Sequence, residues 1–217
     1  MLKVGITGSI GSGKTLATNF FKELGYKVLD ADQMNQDLLK NEAVVKEINR
    51  SLFNKDSKIL DKTLIKEVIF KDKTKKETLE NILHPIIYKM MEEALKTLEQ
   101  EEIVFIDVPL LFEAGFDKLT DYNLVIFTSE EQQVKRLIKR DKIDKNTAYL
   151  RIKGHWDIKE KMNKSDYVIN NDESVEFTYQ QLINWLSNFK KVGQGYLEEK
   201  NAYNEKHKIQ NQNQKNQ

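Results

Sequence analysis

The sequence predicts an α/β fold: a five-stranded parallel sheet with a helical insertion and a lid. Three observations carry that expectation. Five short apolar segments alternate with helical patterns, which implies parallel strands joined by right-handed crossovers. The first segment runs directly into the glycine-rich stretch Gly8-Ser9-Ile10-Gly11-Ser12-Gly13-Lys14-Thr15. The connection between the second and third segments is far too long for one helix, so it must hold a subdomain.

The elements follow in order. Leu2 to Thr7 reads as a short buried strand. A helix follows from about Gly13 to Leu24, with Leu16, Phe20, Phe21 and Leu24 on one face, and Gly25 stops it. Tyr26 to Leu29 is the second strand, ending at Asp30-Ala31-Asp32. Helical patterns fill Gln33 to Glu99, with a kink or break expected at His84-Pro85. Glu102 to Val108 is an apolar strand closed by Pro109, and Asn123 to Thr128 is another. A helix from about Ser129 to Arg140, a last strand at Asp166–Asn170 and a helix from about Ser174 to Phe189 complete the pattern. The chain therefore reads as a single domain over about residues 1–200. Its core lies at about 1–35 and 100–190, the insertion at about 36–99 and the lid at about 141–165. Nine of the seventeen residues from Asn201 onward are Asn or Gln. Such a tail buries too little apolar surface to fold alone and is expected to be disordered.

Composition narrows the function. At 217 residues the chain can bury roughly 70% of its unfolded surface without staples. A formal net charge of +1 argues against a nucleic-acid coat or a polybasic membrane binder. Cysteine is absent, which excludes disulfides, thiolate zinc sites and a cysteine nucleophile. No apolar run approaches the ~18 residues of a bilayer span. The first ten residues do not read as a signal peptide, so a cytoplasmic protein without an obligate protein partner is expected. Lysine outnumbers arginine 31 to four, and Arg136, Arg140 and Arg151 fall within sixteen residues of one another. Where lysine is the default cation, such arginines suit a role that needs a planar, bidentate group, as at a phosphate.

Gly8 to Thr15 fits G-x-x-x-x-G-K-[ST], with a strand before it and an amphipathic helix after it. Glycines let successive backbone N–H groups turn around a phosphate, and the helix N-terminus adds partial positive charge. Lys14 can reach the β- and γ-phosphates, and the Thr15 hydroxyl can ligate Mg²⁺. The fold class is thus a P-loop NTPase core. Asn163-Lys164-Ser165-Asp166 fits a guanine-reading pattern, but it precedes its strand instead of following it, and D-x-x-G occurs nowhere. A small GTPase is therefore disfavoured against a small-molecule kinase. A kinase needs a base beside the acceptor hydroxyl. Asp32 suits that role if the second strand neighbours the first; the alternative for Asp30 or Asp32 is to cap the following helix, and the two roles can fall one on each aspartate. Lys135–Lys164 carries eleven Lys/Arg against four Asp/Glu, as a closing lid requires. Arg136 and Arg140 share one helix face.

The sequence resembles the dephospho-CoA kinase family over about residues 1–190. The resemblance rests on Gly8 to Thr15, Leu29-Asp30-Ala31-Asp32 and Leu83-His84-Pro85. It rests also on Val108-Pro109-Leu110-Leu111-Phe112-Glu113, Arg136-x-x-x-Arg140-Asp141 and Ser165 to Asn171. It implies ATP-dependent phosphorylation of the ribose 3′-hydroxyl of dephospho-CoA, the last step to coenzyme A. It implies Asp32 as general base, Lys14 and Thr15 at the phosphates and metal, and MgATP docked on residues 8–16, Leu16 included. Arg140 matches the lid arginine, with Arg136 and Arg151 as possible helpers. His84 matches the substrate side of the insertion, and Asn171 a position near the adenine. Glu113 matches an acid that either contacts substrate or caps the following helix. The chain departs from the family at Gln36, Lys62 and His155; Lys62 keeps a charge but loses bidentate geometry. Trp156 either stacks on a base or anchors the lid. A related kinase with another acceptor, or a nucleotide-binding switch, would share the loop.

Overall fold

The computed structural model describes residues 1–154 and 156–190. His155 and the Asn/Gln-rich tail lie outside these residues. Strands β1 (Leu2–Gly8), β2 (Lys27–Asp30), β3 (Ile103–Asp107), β4 (Tyr122–Phe127) and β5 (Tyr167–Asn170) form one sheet in the order β2-β3-β1-β4-β5. All four pairings are parallel. Helix α1 (Lys14–Glu23) follows β1, and α2 (Ala31–Leu38) follows β2. The insertion contains α3 (Glu42–Phe53), α4 (Lys62–Lys71) and α5 (Lys73–Thr97). Helices α6 (Glu130–Asp141), α7 (Lys145–Lys153) and α8 (Ile158–Lys164) lie between β4 and β5, and α9 spans 175–190.

One expectation is corrected here. Strand β2 does not neighbour β1; β3 lies between them, and Asp107 pairs in register with both Ile6 and Asp30. Strand order depends on long-range pairing that local sequence pattern does not encode. Asp32 still lies at the same edge, because every loop leaving the C-terminal end of a parallel strand opens there.

The apolar run Ile103 to Ile106 of β3 is explained by burial on both faces. Val104 and Ile106 pack toward the insertion, with Leu83, Ile87, Met91 and Leu95 of α5. Ile103 and Phe105 point the other way, toward Phe20 and Phe21 of α1 and Leu182, Trp185 and Phe189 of α9. Phe21 and Phe105 stack with ring centroids 3.8 Å apart.

A second correction concerns Pro85. Helix α5 is a continuous 25-residue helix with Pro85 inside it, so there is no break. Proline removes the N–H that would meet the Asn81 carbonyl. Asn81 and Pro85 are both exposed, so water can satisfy that carbonyl, while the buried stripe of Leu83, Ile87 and Met91 holds the helix to the sheet.

Candidate active site

The phosphate loop is held from behind. Gly13 is the N-cap of α1 at φ +86°, and no side chain caps that helix. A side chain at Gly13 would be strained by the backbone and would run into Asn171. Gly8 is constrained by space: a Cβ there would meet Ser12 Oγ and stand 2.7 Å from the Ile126 carbonyl. Arg136 donates to the carbonyls of Gly11 at 3.2 Å, Ser12 at 3.1 Å and Asn171 at 2.6 Å, and to Thr128 Oγ1 at 3.2 Å. Asn171 is buried, donates through Nδ2 to the Ser12 carbonyl at 2.7 Å and accepts from Thr178 at 2.8 Å. With the Gly11 and Ser12 carbonyls engaged from behind, the N-terminus of α1 is left without a side-chain cap. That arrangement suits an anion.

Asn171, which the resemblance matches to a position near the adenine, and Arg136, named beside Arg140 for the phosphate, both brace the loop. Leu16 packs against the apolar core shared by α1 and α9, so it anchors the helix behind the loop. A cleft of about 700 Å³ opens in front, lined by residues 8–15, Asp32, Pro109, Arg136, Lys139 and Arg140.

Lys14 forms an ion pair with Asp107, the last residue of β3. Asp107 is a functional candidate that sequence reasoning missed. The available signal was a carboxylate ending an otherwise apolar strand just before Pro109. Burial pushes the Asp107 carboxyl above the usual carboxylate range, and Lys14 pulls it back. Asp32 is raised for the same reason: burial is the main cause, Lys14 opposes it and Asp30 adds to it. Of the two aspartates at the junction of β2 and α2, the capping role falls to Asp30. Asp30 caps α2, accepting from Gln33 N at 3.1 Å. Asp32 lies in the first turn and faces the clefts.

A second cleft of about 310 Å³ adjoins the first. Asp32 and Pro109 line both. Its other walls are mostly apolar and include Leu79, Leu83, Ile87 and Phe116. His84 lines it edge-on to Phe116, and burial lowers the imidazole pKa, which favours the neutral ring. His84 also lines a third cleft with Glu113, Gly154 and Trp156. Glu113 does not cap the short helix Phe116–Leu119, which begins at Gly115 without a side-chain cap. It pairs with Lys161 of α8 at 2.8 Å.

Arg140 lies at the rim of the large cleft, 61% exposed, with Nε 2.7 Å and Nη2 3.0 Å from the Asp141 carboxylate. Arg151 meets the same carboxylate at 2.7 Å. Asn163 and Lys164 lie in α8, and Asp166 accepts from Asn123 N at 2.7 Å. The apparent guanine-reading pattern is therefore helix and strand brace.

Thr15 and the carboxylates of Asp30, Asp32 and Asp107 supply hard oxygen donors at this edge, as Mg²⁺ prefers. Among the described residues no cluster of three or more His, Cys, Asp or Glu forms a cage. The donor set therefore fits an ion shared with a ligand's phosphates. No helix among the described residues is long and apolar enough to cross a membrane.

Known proteins resemble this chain in sequence and fold. The family model described as dephospho-CoA kinase matches residues 2–176. The dephospho-CoA kinase of Fusobacterium nucleatum is 36% identical over 182 residues, covering 82% of this chain and 94% of that protein. That of Listeria monocytogenes is 36% identical over 195 residues, covering 87% and 97%. The structure of dephospho-CoA kinase from Campylobacter jejuni superposes with a TM-score of 0.65 at 28% identity, over 89% of this chain and 98% of that one. With a parallel-sheet core, a braced phosphate loop and a family match over most of its length, the chain belongs to the dephospho-CoA kinase family.

Proposed function

We propose that the chain transfers the γ-phosphoryl group of ATP to the ribose 3′-hydroxyl of dephospho-CoA, giving coenzyme A and ADP. One observation supports the assignment of groups above all: Asp32 lines both the cleft in front of the phosphate loop and the cleft walled by the insertion. A carboxylate at that junction faces the γ-phosphate from one side and the acceptor from the other.

The loop N–H groups and Lys14 bind the triphosphate. For this, Lys14 exchanges Asp107 for phosphate oxygens. Thr15, with Asp107 nearby, would hold Mg²⁺, which neutralises phosphate charge when bound. The acceptor nucleoside lies against the apolar walls from Leu79 to Ile87, with neutral His84 as a hydrogen-bonding edge. Asp32 orients the 3′-hydroxyl and takes its proton as the new O–P bond forms and the bond to the β-phosphate oxygen breaks. Its raised pKa brings its basicity closer to the task. Arg140 exchanges Asp141 for the transferring group as the lid closes, and closure excludes the water that would otherwise hydrolyse ATP.

The test is ATP turnover with and without dephospho-CoA, with the product identified by mass. Fast ADP release only with dephospho-CoA, and a product one phosphoryl group heavier, are expected. Slow hydrolysis indifferent to dephospho-CoA would refute the assignment.

A further inference from the structure

Two charged residues are buried as a whole among the described residues, Asp107 and Lys161. Asp107 meets Lys14 in the site. Lys161 belongs to α8, in the lid segment, and only 1% of its side chain meets solvent. Its Nζ donates to the Pro109 carbonyl at 2.7 Å and stands 2.8 Å from Glu113 Oε1. A buried ammonium is tolerated only where close partners compensate its lost hydration. The same Pro109 carbonyl accepts the Thr7 hydroxyl, at 3.0 Å, from the end of β1. Pro109 in turn lines both the phosphate cleft and the acceptor cleft, and Glu113 lines the cleft beyond His84. Two elements, β1 and α8, thus converge on one carbonyl at the wall between the two clefts.

The opposite end of the lid segment is attached differently. Helix α7 packs its Ala148 on Val134 and Leu137 of α6, and its Arg151 is 39% exposed beside Asp141. One end is tied to the reaction site through a buried charge, and the other lies on the surface of α6.

We propose that Lys161 is a positioning residue for phosphoryl transfer: through Pro109 and Glu113 it fixes the wall between the ATP and acceptor clefts and makes α8 the anchored end of the lid. This inference rests on the function proposed above. Without that anchor the wall shifts, the acceptor loses alignment with the phosphoryl group, and water reaches it. A reacting pair misplaced by about 1 Å can lose about 10²-fold in rate.

The experiment measures kcat, KM for each substrate, and ATP consumed per coenzyme A formed. Lys161→Met leaves the buried Glu113 carboxylate unpaired and can fail to fold, so the informative protein is the double variant Lys161→Met with Glu113→Leu. Removing both charges of a buried pair is often neutral for stability. For a folded double variant we expect kcat to fall by about 10²-fold, KM for ATP to stay near wild type, and several ATP to be hydrolysed per product. A folded double variant with wild-type kcat and one ATP per product would overturn the proposal and leave Lys161 a structural residue. If wild type itself formed no coenzyme A, the function proposed above would fall, and this inference with it.

Discussion

The floor and the rim of the phosphate cleft are built on one helix, and they are built differently. Arg136 and Arg140 lie four residues apart on α6. Arg136 reaches under the loop and satisfies three backbone carbonyls and a threonine hydroxyl. Arg140 reaches outward to Asp141, a partly buried aspartate that it shares with Arg151. The floor is preorganised: its acceptors are engaged, its glycines are sterically required, and the Asn171 brace is buried. The rim is held by charge pairs at the surface, which solvent screens and which contribute little to stability. On the proposed function, a triphosphate would displace Asp141 at small cost, whereas Arg136 is tied to the loop by several hydrogen bonds at once. On the proposed function, preorganisation at the floor would serve binding, and exchangeable pairing at the rim would serve closure.

That contrast can be broken or sharpened by substitution. The largest effect is expected from Lys14→Ala, which should abolish turnover by removing the charge between the β- and γ-phosphates. Near-normal turnover in the folded variant would take the loop out of the mechanism. Arg140→Lys keeps the charge but loses the planar fork. It should lower kcat by roughly 10–100-fold and leave the melting temperature unchanged. Equal rates for variant and wild type would remove Arg140 from the lid role. Arg136→Lys should show the opposite split. It leaves carbonyls under the loop unsatisfied, costing about 1–3 kcal/mol of stability, and ATP affinity should fall about tenfold with it. If instead Arg136→Lys bound ATP normally and only kcat fell, floor and rim would not differ as described.

The smallest effect concerns Asp30. Asn caps a helix about as well as Asp, so Asp30→Asn should keep stability and neutral-pH turnover. Asp30 raises the Asp32 pKa. Removing its charge should therefore move the acid limb of the kcat profile to lower pH. An unmoved or upward-shifted limb would dissociate that limb from Asp32.

Much of this was legible in the sequence because it is local. The loop, the helix after it, the five strands and the long insertion all follow from periodicity and glycine placement. What escaped depends on distant parts of the chain. The position of β3 between β1 and β2 is a pairing choice. It is also what brings Asp107 to Lys14. Arg136 and Arg140 share a helix face, and only the position of the loop relative to α6 separates their roles. Lys161 was one of eleven basic residues in a stretch that reads as a solvated lid; nothing local distinguishes it from its exposed neighbours. Pro85 misled because the solvent-facing side of α5, which lets the helix continue, is a tertiary fact.

The central claim is that Asp32, at the junction of the two clefts, accepts the proton of the acceptor hydroxyl. The most direct test is Asp32→Asn, with turnover, ATP binding and melting temperature measured on the same protein. Asparagine preserves shape and removes the proton acceptor, and Asp30 still caps α2. Burial raises the Asp32 pKa in the fold, so ionising it opposes folding once the pH exceeds the unfolded-state pKa. The neutral variant should hold or slightly gain stability at neutral pH. The account predicts a fall in turnover of roughly 10²–10⁴-fold, ATP affinity close to wild type and an undiminished melting temperature. Unchanged turnover in that stable protein would contradict it.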